Sequence, residues 1–164
     1  MTKILTALQT LELAPFLALN NRHSVELSAL HAPEFSRLVH CAFAASATEH
    51  PLSFLLAFDE AASYASPNYL WFRTRHARFV YVDRIVVDRD GRGQGIAGLH
   101  YAGLFAAARA GNHKVICAEV NADPPNPASD AFHERLGFVE VGTAVLPDRA
   151  KTVRYLERRL TSIA

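Results

Sequence analysis

A glycine-rich turn between a strand and a helix carries the clearest chemical signal in this sequence. An apolar strand over residues 79–87 leads into the polar turn 88–91, and a helix with apolar residues at helical spacing follows it. Gly93 and Gly95 lack a Cβ, so the backbone can turn tightly and a ligand can lie against it. The unpaired N–H groups and the dipole of a helix start attract anions. The turn therefore predicts a pyrophosphate site.

Two classes of nucleotide ligand fit such a turn. Gly93-Gln-Gly-Ile-Ala-Gly98 matches the dinucleotide fingerprint, and Glu119 follows at the distance expected of a ribose-binding acid. A dinucleotide domain needs several further strand–helix units, however, and only 66 residues follow Gly98. A further alternative is a turn that binds no ligand and whose glycines serve packing alone. Arg92 beside the glycines argues against it, because arginine suits phosphate.

The turn and a second segment together resemble the GNAT family of N-acetyltransferases. Arg92-Gly-Gln-Gly-Ile-Ala97 is similar to the Arg/Gln-x-x-Gly-x-Gly/Ala signature with which that family holds the pyrophosphate of acetyl-CoA. Segment 126–138 is similar to the family segment Asn-x-x-Ala-x-x-Leu-Tyr-x-x-x-Gly-Phe, without a gap from its Asn to its Gly-Phe. The two motifs cover residues 79–145. The first 60 residues match the family only in the order of their elements.

The resemblance implies a mixed α/β fold, with a central mixed sheet whose two splayed strands are flanked by helices. We expect a single GNAT-like domain over residues 1–164, with 1–78 as the acceptor side and 79–145 as the acetyl-CoA-binding core. The pantetheine arm is expected between strands 79–87 and 114–120. The acetyl-CoA-binding residues implied are Ile85, Val86, Val87, Arg92, Gly93, Gln94, Gly95, Ile96, Ala97, Asn126 and Ser129.

Hydrophobic periodicity and turn residues predict the same class of fold. Helices are predicted at 13–19, 32–40, 96–110 and 128–136, and strands at 42–47, 52–58, 79–87, 114–120, 138–145 and 152–158. The apolar stripe predicted for the third helix consists of Ile96, Leu99, Gly103, Leu104 and Ala107.

Three titratable side chains are candidates for catalysis. Asp83 interrupts an apolar strand, where a carboxylate is costly unless it is paired or functional. It is the candidate base, and an ion pair with Arg84 or Arg78 is the alternative. Glu119, in a comparable strand position, is the second candidate base. His133 stands where the family usually has a Tyr whose hydroxyl protonates the leaving thiolate; it either donates a proton itself or is a surface histidine.

Acetyl transfer to an amine needs a neutral amine, a donor for the tetrahedral oxyanion and a thiolate that leaves. The resemblance implies a backbone N–H near Val86 as that donor. Neither Cys41 nor Cys117 has a basic neighbour in sequence that would activate it as an acyl carrier. We therefore expect direct transfer without a covalent enzyme intermediate.

Aromatic side chains are dense in the otherwise polar segment 61–78. They either fix a loop to the core or line a pocket, and a lined pocket suits an acceptor with an apolar or cationic portion. The candidate substrate-binding residues are Tyr64, Tyr69, Trp71 and, on the next strand, Tyr81. The acceptor is expected to be a small-molecule amine.

Composition limits the partners. A net charge of +1 over 164 residues gives no reason to expect nucleic acid or a membrane. No apolar run approaches the roughly 20 residues of a membrane span, and the N-terminus lacks the pattern of a signal peptide, so a cytoplasmic protein is expected. The histidines show no metal-ligand spacing, and no metal is expected. Exposed terminal strands can pair at their edges, which makes a homodimer one expected assembly.

The leading functional hypothesis is an N-acetyltransferase that moves the acetyl group of acetyl-CoA directly to a primary amine. A CoA-binding module without catalysis, such as a sensor, is the second hypothesis, and the missing Tyr at position 133 favours it. A small nicotinamide-binding protein is the third, which the chain length disfavours.

Overall fold

The computed structural model describes residues 5–25 and 27–161. In this part of the chain seven strands form one sheet and five α-helices cover it, so the predicted mixed α/β fold is confirmed. The strands are β1 (Leu5–Ala7), β2 (Ala44–Thr48), β3 (Ser53–Asp59), β4 (Val80–Val87), β5 (Val115–Asp123), β6 (Val139–Leu146) and β7 (Lys151–Arg159). The helices are α1 (Ala14–Arg22), α2 (Ala32–Cys41), α3 (Pro67–Arg73), α4 (Ile96–Ala110) and α5 (Pro127–Arg135).

The strand order in the sheet is β1-β2-β3-β4-β5-β7-β6. All neighbouring strands are antiparallel except β4 and β5, which are parallel and are connected through α4. These two strands pair only at Val80 with Ile116 and at Tyr81 with Cys117. Beyond those pairs they separate, and the predicted splay between the strands is confirmed.

The two faces of the sheet have separate apolar cores. One core, rich in Phe and Tyr, packs the sheet against α1, α2 and α3 and includes Tyr81 and Cys117. The other packs it against α4 and α5 and includes Val80, Val82 and Ala118. Alternation along β4 and β5 therefore assigns successive side chains to opposite faces.

A β-bulge in β4 changes this alternation beside the splay. Arg84 pairs with Leu56 and Val82 pairs with Ala57, which leaves Asp83 as the extra residue. A bulge re-aims the side chains that follow it. As a result Asp83 and Arg84, although adjacent in sequence, line the same cavity.

The aromatic segment contains a helix that its sequence did not predict. In α3 the side chains of Tyr69 and Phe72 are fully buried, three residues apart on one face of the helix. A helix of seven residues is too short to be stable by propensity. Its stability therefore comes from burying these rings against β4.

Helix α4 is rotated relative to the predicted stripe. Leu99 is 41% exposed, whereas His100 and Tyr101 are buried. The Nδ1 atom of His100 lies 2.6 Å from the Ser46 hydroxyl oxygen, and its Nε2 atom lies 2.9 Å from the Ser53 hydroxyl oxygen. Burial lowers the pKa of His100 to about 4, so the ring is neutral. A hydrogen-bonded polar side chain thus takes a core position that apolar periodicity cannot identify.

Candidate active site

Three cavities meet along the gap between β4 and β5. The α2-side cavity, of about 330 Å³, lies on the face covered by α1, α2 and α3. The central cavity, of about 120 Å³, lies in the gap, and the turn-side cavity, of about 690 Å³, follows the glycine turn. Asp83, Arg84 and Glu119 line both of the first two, and Asn126 and His133 line both of the last two. The three cavities therefore adjoin one another along the gap, and together they are called the passage.

The glycine turn presents unpaired main-chain donors to the turn-side cavity. Gly93 has φ +72° and Gly95 has φ +73°, the left-handed region that glycine occupies without strain. The space where their Cβ atoms would stand is open. The first intrahelical bond of α4 runs from the Leu99 N–H to the Gly95 carbonyl, so the N–H groups of residues 95–98 have no intrahelical partner. This arrangement fits a pyrophosphate.

Most of the residues predicted to bind acetyl-CoA line this passage. They are Ile85, Val86, Val87, Arg92, Gly93, Gly95, Ile96, Ala97, Asn126 and Ser129. Gln94 does not line it, because its side chain donates to the Asp90 carbonyl at 2.7 Å.

Beyond Tyr81, β4 has a strand neighbour on one side only, namely β3. In an extended strand the main-chain N–H and C=O groups point alternately to the two sides. Because the Asp88 N–H donates to the Leu52 carbonyl on the β3 side, Val86 also faces β3, and the main-chain groups of Ile85 and Val87 point into the gap. Such an edge can pair with the amides of an extended ligand in the manner of an added strand.

Asp83 is engaged by two side chains. One carboxylate oxygen lies 2.6 Å from Arg84 Nε, and the other accepts a hydrogen bond from the Tyr64 hydroxyl. The side chains of Asp83 and Arg84 are 4% and 6% exposed. Burial, with the neighbouring Asp83 charge, raises the pKa of Tyr64, which stays a hydrogen-bond donor. The ion pair that the sequence left open is thus present with Arg84, whereas Arg78 pairs with Glu60 at 3.0 Å.

Glu119 occupies the position across the gap from Asp83. It lies two residues past Cys117 on β5, as Asp83 lies two residues past Tyr81 on β4. Its Oε1 accepts from Asn68 Nδ2 at 3.2 Å, and its carboxyl also interacts with the Tyr81 hydroxyl. Its buried Oε2 makes no close hydrogen bond among the described residues. Burial raises the pKa of Glu119 to about 8, and the negative charge of Asp83 adds to this. A carboxyl with this pKa can exchange a proton near neutral pH.

The sequence of the chain matches the acetyltransferase (GNAT) family over residues 9–138. The chain belongs to this family. The resemblance drawn from the glycine turn and segment 126–138 is confirmed, and so is the prediction of an N-acetyltransferase at the level of the family. A comparison with curated protein sequences gave no match.

Solved structures of GNAT acetyltransferases share the fold. The ribosomal-protein-S18-alanine N-acetyltransferase of Escherichia coli aligns over 99% of this chain and 96% of its own, with 16% identity and a TM-score of 0.71. A GNAT acetyltransferase of Streptococcus pneumoniae aligns over 98% and 100%, with 14% identity and a TM-score of 0.73. Arabidopsis thaliana NAA60, solved with acetyl-CoA, aligns over 97% and 100%, with 13% identity and a TM-score of 0.71. At these identities the likeness establishes the fold alone.

In this GNAT chain the usual tyrosine position holds a buried histidine. His133 is 4% exposed, so the alternative of a surface histidine is wrong. Its Nδ1 lies 2.8 Å from the Ser129 carbonyl oxygen, and its Nε2 lies 2.7 Å from the Tyr101 hydroxyl. Burial lowers the pKa of His133, which favours the neutral ring. Sequence reasoning missed Tyr101, and its aromatic side chain on an otherwise Ala-rich helix was the only available signal.

The four candidate substrate-binding aromatics divide into two pairs. Tyr64 and Tyr81 line the α2-side cavity. Tyr69 and Trp71 line none of the three cavities. The Tyr69 hydroxyl donates to the Asp59 carbonyl at 2.7 Å, and Trp71 stacks on Tyr155 with ring centroids 4.1 Å apart. We assign the second pair to packing and leave it out of the proposed site.

His23 and Leu27 line the turn-side cavity without having been predicted to bind the cofactor. Both follow α1, a part of the chain that the family motifs do not cover. His23 Nε2 lies 3.5 Å from Asp88 Oδ1, and Arg22 pairs with the same carboxylate at 3.2 Å. These contacts connect the end of α1 to the glycine turn. Arg22 and His23 are adjacent in the sequence, but their partner Asp88 is 65 or more residues away and could not be identified from a local pattern.

Within the described part of the chain, two clusters bring together residue types that can bind metal ions: Asp59, Glu60 and His113 form one, and His76, Cys117 and Glu157 form the other. The ligand atoms of His76, Cys117 and Glu157 lie within 4.8 Å of one another. His76 and Glu157 already form a hydrogen bond. Burial raises the pKa of the Cys117 thiol, which therefore stays protonated and is unsuited to carry an acyl group.

Proposed function

We propose that this chain transfers the acetyl group of acetyl-CoA directly to a primary amine of a small molecule. The observation that carries the proposal is the passage from the glycine turn, through the gap between β4 and β5, to two buried carboxyls. The turn fits the pyrophosphate, the open edge of β4 fits the pantetheine amides, and the α2-side cavity is left for the amine.

We also propose that the whole chain acts as one GNAT-like domain. Residues 79–145 supply the acetyl-CoA side, and residues 1–78 supply most of the acceptor side. The acceptor side extends further than the sequence predicted, because Leu146, Lys151 and Val153 also line the α2-side cavity.

Glu119 is our proposed general base, in preference to Asp83. Asp83 is ion-paired with Arg84 and bound by Tyr64, whereas Glu119 interacts with the neutral side chains of Asn68 and Tyr81, and its Oε2 makes no close hydrogen bond among the described residues. An α-amino group has an ordinary pKa of about 7.7 to 8.0, close to that of Glu119. Such an amine is therefore partly neutral, its first proton having gone to water, at a pH where Glu119 is partly ionised and can accept the proton that the neutral amine loses on attack. Asp83 supplies negative charge that attracts the cationic amine.

The proposed reaction needs little other chemistry from side chains. Glu119 takes a proton from the amine as nitrogen forms its bond to the acetyl carbon. A main-chain N–H near Val86 donates to the developing oxyanion. Positioning the two reactants in one passage supplies much of the remaining acceleration.

The wall of the α2-side cavity carries charges of both signs. Arg37 and Lys151 contribute cations, and Glu34, Asp83 and Glu119 contribute carboxyls. This combination suits a small amine that also bears an anionic group. We therefore rank zwitterionic α-amines, such as amino acids and short peptides, above polyamines.

The first test is acetyl-CoA binding by calorimetry, with wild type and a Gly95→Trp variant. The bulky side chain fills the turn, so we expect binding to be lost. Gly103→Trp is the matched control, because Gly103 is an exposed glycine of α4 that lines none of the three cavities. Equal loss in both variants would locate the effect in the helix rather than the turn. Absence of binding in wild type would overturn the proposal.

The second test measures thiol release from acetyl-CoA with a panel of amino acids, short peptides, amino sugars and polyamines. Release that depends on one amine class identifies the acceptor. Binding of acetyl-CoA without release from any amine would instead favour the non-catalytic CoA-binding module. We retain the non-catalytic module as the second candidate because position 133 holds a histidine in place of the family tyrosine.

A cytoplasmic location and a homodimer stay predictions. No helix in residues 5–25 and 27–161 is both long and apolar enough to cross a membrane. β6 is an outer strand of the sheet, and its Val139 and Val145 are 62% and 70% exposed. Sedimentation of the purified protein measures the assembly directly.

A further inference from the structure

The hydroxyl missing from position 133 is replaced by one from a different helix. Tyr101 extends from α4 and its hydroxyl lies 2.7 Å from Nε2 of His133 on α5. Tyr101 and His133 both line the central cavity. The chain therefore has a tyrosyl hydroxyl beside the position where the family tyrosine would stand.

The direction of the hydrogen bond between the two rings follows from a third group. Two groups of Ser129 contact His133 Nδ1: the carbonyl at 2.8 Å, which can only accept, and the hydroxyl at 3.3 Å. We assign the ring proton to Nδ1 because the carbonyl is the closer of the two. In the neutral ring Nε2 is then the acceptor, and the Tyr101 hydroxyl donates to it. Burial lowers the pKa of His133 and raises that of Tyr101, so the pair is uncharged at neutral pH. Glu119 and Asp130 are the carboxyls whose charge acts on Tyr101 and His133.

We infer that Tyr101 donates a hydrogen bond to the departing thiolate and that His133 positions its hydroxyl, an inference that rests on the proposed acetyl transfer. As the carbon–sulfur bond breaks, its electron pair stays on sulfur, and the amine proton goes to Glu119. The Tyr101 hydroxyl turns about its C–O bond from His133 Nε2 towards the sulfur and keeps its proton. The thiolate is protonated later by water.

Donation of a hydrogen bond, rather than complete proton transfer, follows from the surroundings of Tyr101. A tyrosinate in this position would be buried beside Glu119, and burial raises the pKa of the hydroxyl above its ordinary value. A hydrogen bond to a charged acceptor is stronger than one to a neutral ring nitrogen. The hydroxyl is therefore drawn from His133 to sulfur only when negative charge develops there.

A purely structural link between α4 and α5 is the competing explanation. The Tyr101 ring also packs edge-on against Phe105, Phe132 and Phe138. Tyr101→Phe keeps these ring contacts and removes only the hydroxyl. Tyr69→Phe is the matched control, because Tyr69 is also fully buried and its hydroxyl bonds a carbonyl of the other core.

The decisive measurement is the thiol pKa of bound CoA, followed by the ultraviolet absorbance of the thiolate as the pH is changed. A donor worth about 1.4 kcal/mol lowers the thiol pKa by about one unit. We expect the thiol pKa to be about one unit higher in Tyr101→Phe than in wild type and in Tyr69→Phe. Equal values in all three would overturn the inference. Failure of wild type to bind CoA would overturn the proposed function instead.

A double variant separates donation from structural support. Tyr101→Phe is expected to lower kcat about tenfold with an unchanged KM for acetyl-CoA. Tyr101→Phe/His133→Tyr returns a hydroxyl to α5, and we expect it to restore the thiol pKa of bound CoA and most of kcat. If Tyr101→Phe is slow although the thiol pKa of its bound CoA equals that of wild type, and the double variant remains as slow, the hydroxyl has only a structural role.

Discussion

The turn-side and α2-side cavities lie at opposite ends of the passage and are lined by different kinds of chemical group. The turn-side cavity is lined by glycines and by main-chain groups that a helix start leaves unpaired. The α2-side cavity is lined by charged side chains, including the buried Asp83, Arg84 and Glu119. A main-chain site depends on local conformation, whereas a buried charge depends on every group packed around it. A short sequence motif can therefore predict the main-chain site, but it cannot predict the site built from buried charges.

A second comparison concerns the two carboxyls that line the α2-side cavity. Asp83 and Glu119 lie at the same level on neighbouring strands, and both interrupt apolar runs. Asp83 pairs with Arg84 at 2.6 Å, while the largest influence on Glu119 is burial, which raises its pKa to about 8. Equivalent sequence positions thus lead to one structural ion pair and one titratable group.

The largest effect is expected from Glu119→Gln. Loss of a general base typically costs about a hundredfold to ten-thousandfold in rate, and we expect kcat to fall within that range. The turn-side cavity is unaffected, so calorimetry should give an unchanged affinity for acetyl-CoA. Glu134→Gln, an exposed carboxyl of α5, is the control for loss of one negative charge. A Glu119→Gln enzyme as active as this control would remove Glu119 from the mechanism.

Asp83→Asn should instead act on stability. Removing one partner of a buried ion pair leaves the other charge uncompensated, which typically costs about 3 to 5 kcal/mol. We expect the free energy of unfolding in urea to fall by roughly 3 kcal/mol, because Asn can still accept from Arg84. Glu140→Gln breaks the exposed pair with Arg154 and should cost less than about 1 kcal/mol. Equal losses would mean that the Asp83–Arg84 pair behaves as a surface pair.

The sequence predicted the elements that local patterns determine. Two glycines beside Arg92 indicated the pyrophosphate turn, and the structure gives both a positive φ. The helix predicted at 128–136 is α5, and the structure adds that the Asn126 side chain caps it by accepting from the Ser129 N–H. Helix α3 was missed because its stability comes from rings buried against β4. The bulge at Asp83 was missed because it is defined by pairing with β3.

The sequence predicted which residues form the candidate site better than it predicted what each residue does. Asp83, Glu119 and His133 were all identified, and all three line the central cavity. Their roles depend on Arg84, on Asn68 from α3 and on Tyr101 from α4. Two of those partners are distant in sequence, so no motif could contain them.

The pH dependence of stability provides a third test of the two carboxyls. Glu119 has a pKa of about 8 in the folded protein and an ordinary value of 4.5, so the folded state holds the extra proton between these values. Stability is therefore highest below pH 4.5 for this group and falls as the pH rises to about 8, by at most about 1.4 kcal/mol per unit. Glu119→Gln should lose this slope, measured as urea midpoints at several pH values. An unchanged slope would show that Glu119 ionises normally.

The smallest effect is expected at the main-chain end of the passage, from Gly95→Ala. An alanine Cβ strains the left-handed φ of +73° by about 1 kcal/mol and projects into the open space where the pyrophosphate would lie. We expect acetyl-CoA affinity to fall about tenfold. Gly103→Ala should leave binding unchanged and stabilise α4 by about 0.4 to 1 kcal/mol, because this exposed helical glycine has no atom within 4 Å of its Cβ position. If both variants bound acetyl-CoA equally well, the turn would not need its left-handed glycine, and the contrast between a main-chain site and a side-chain site would fail.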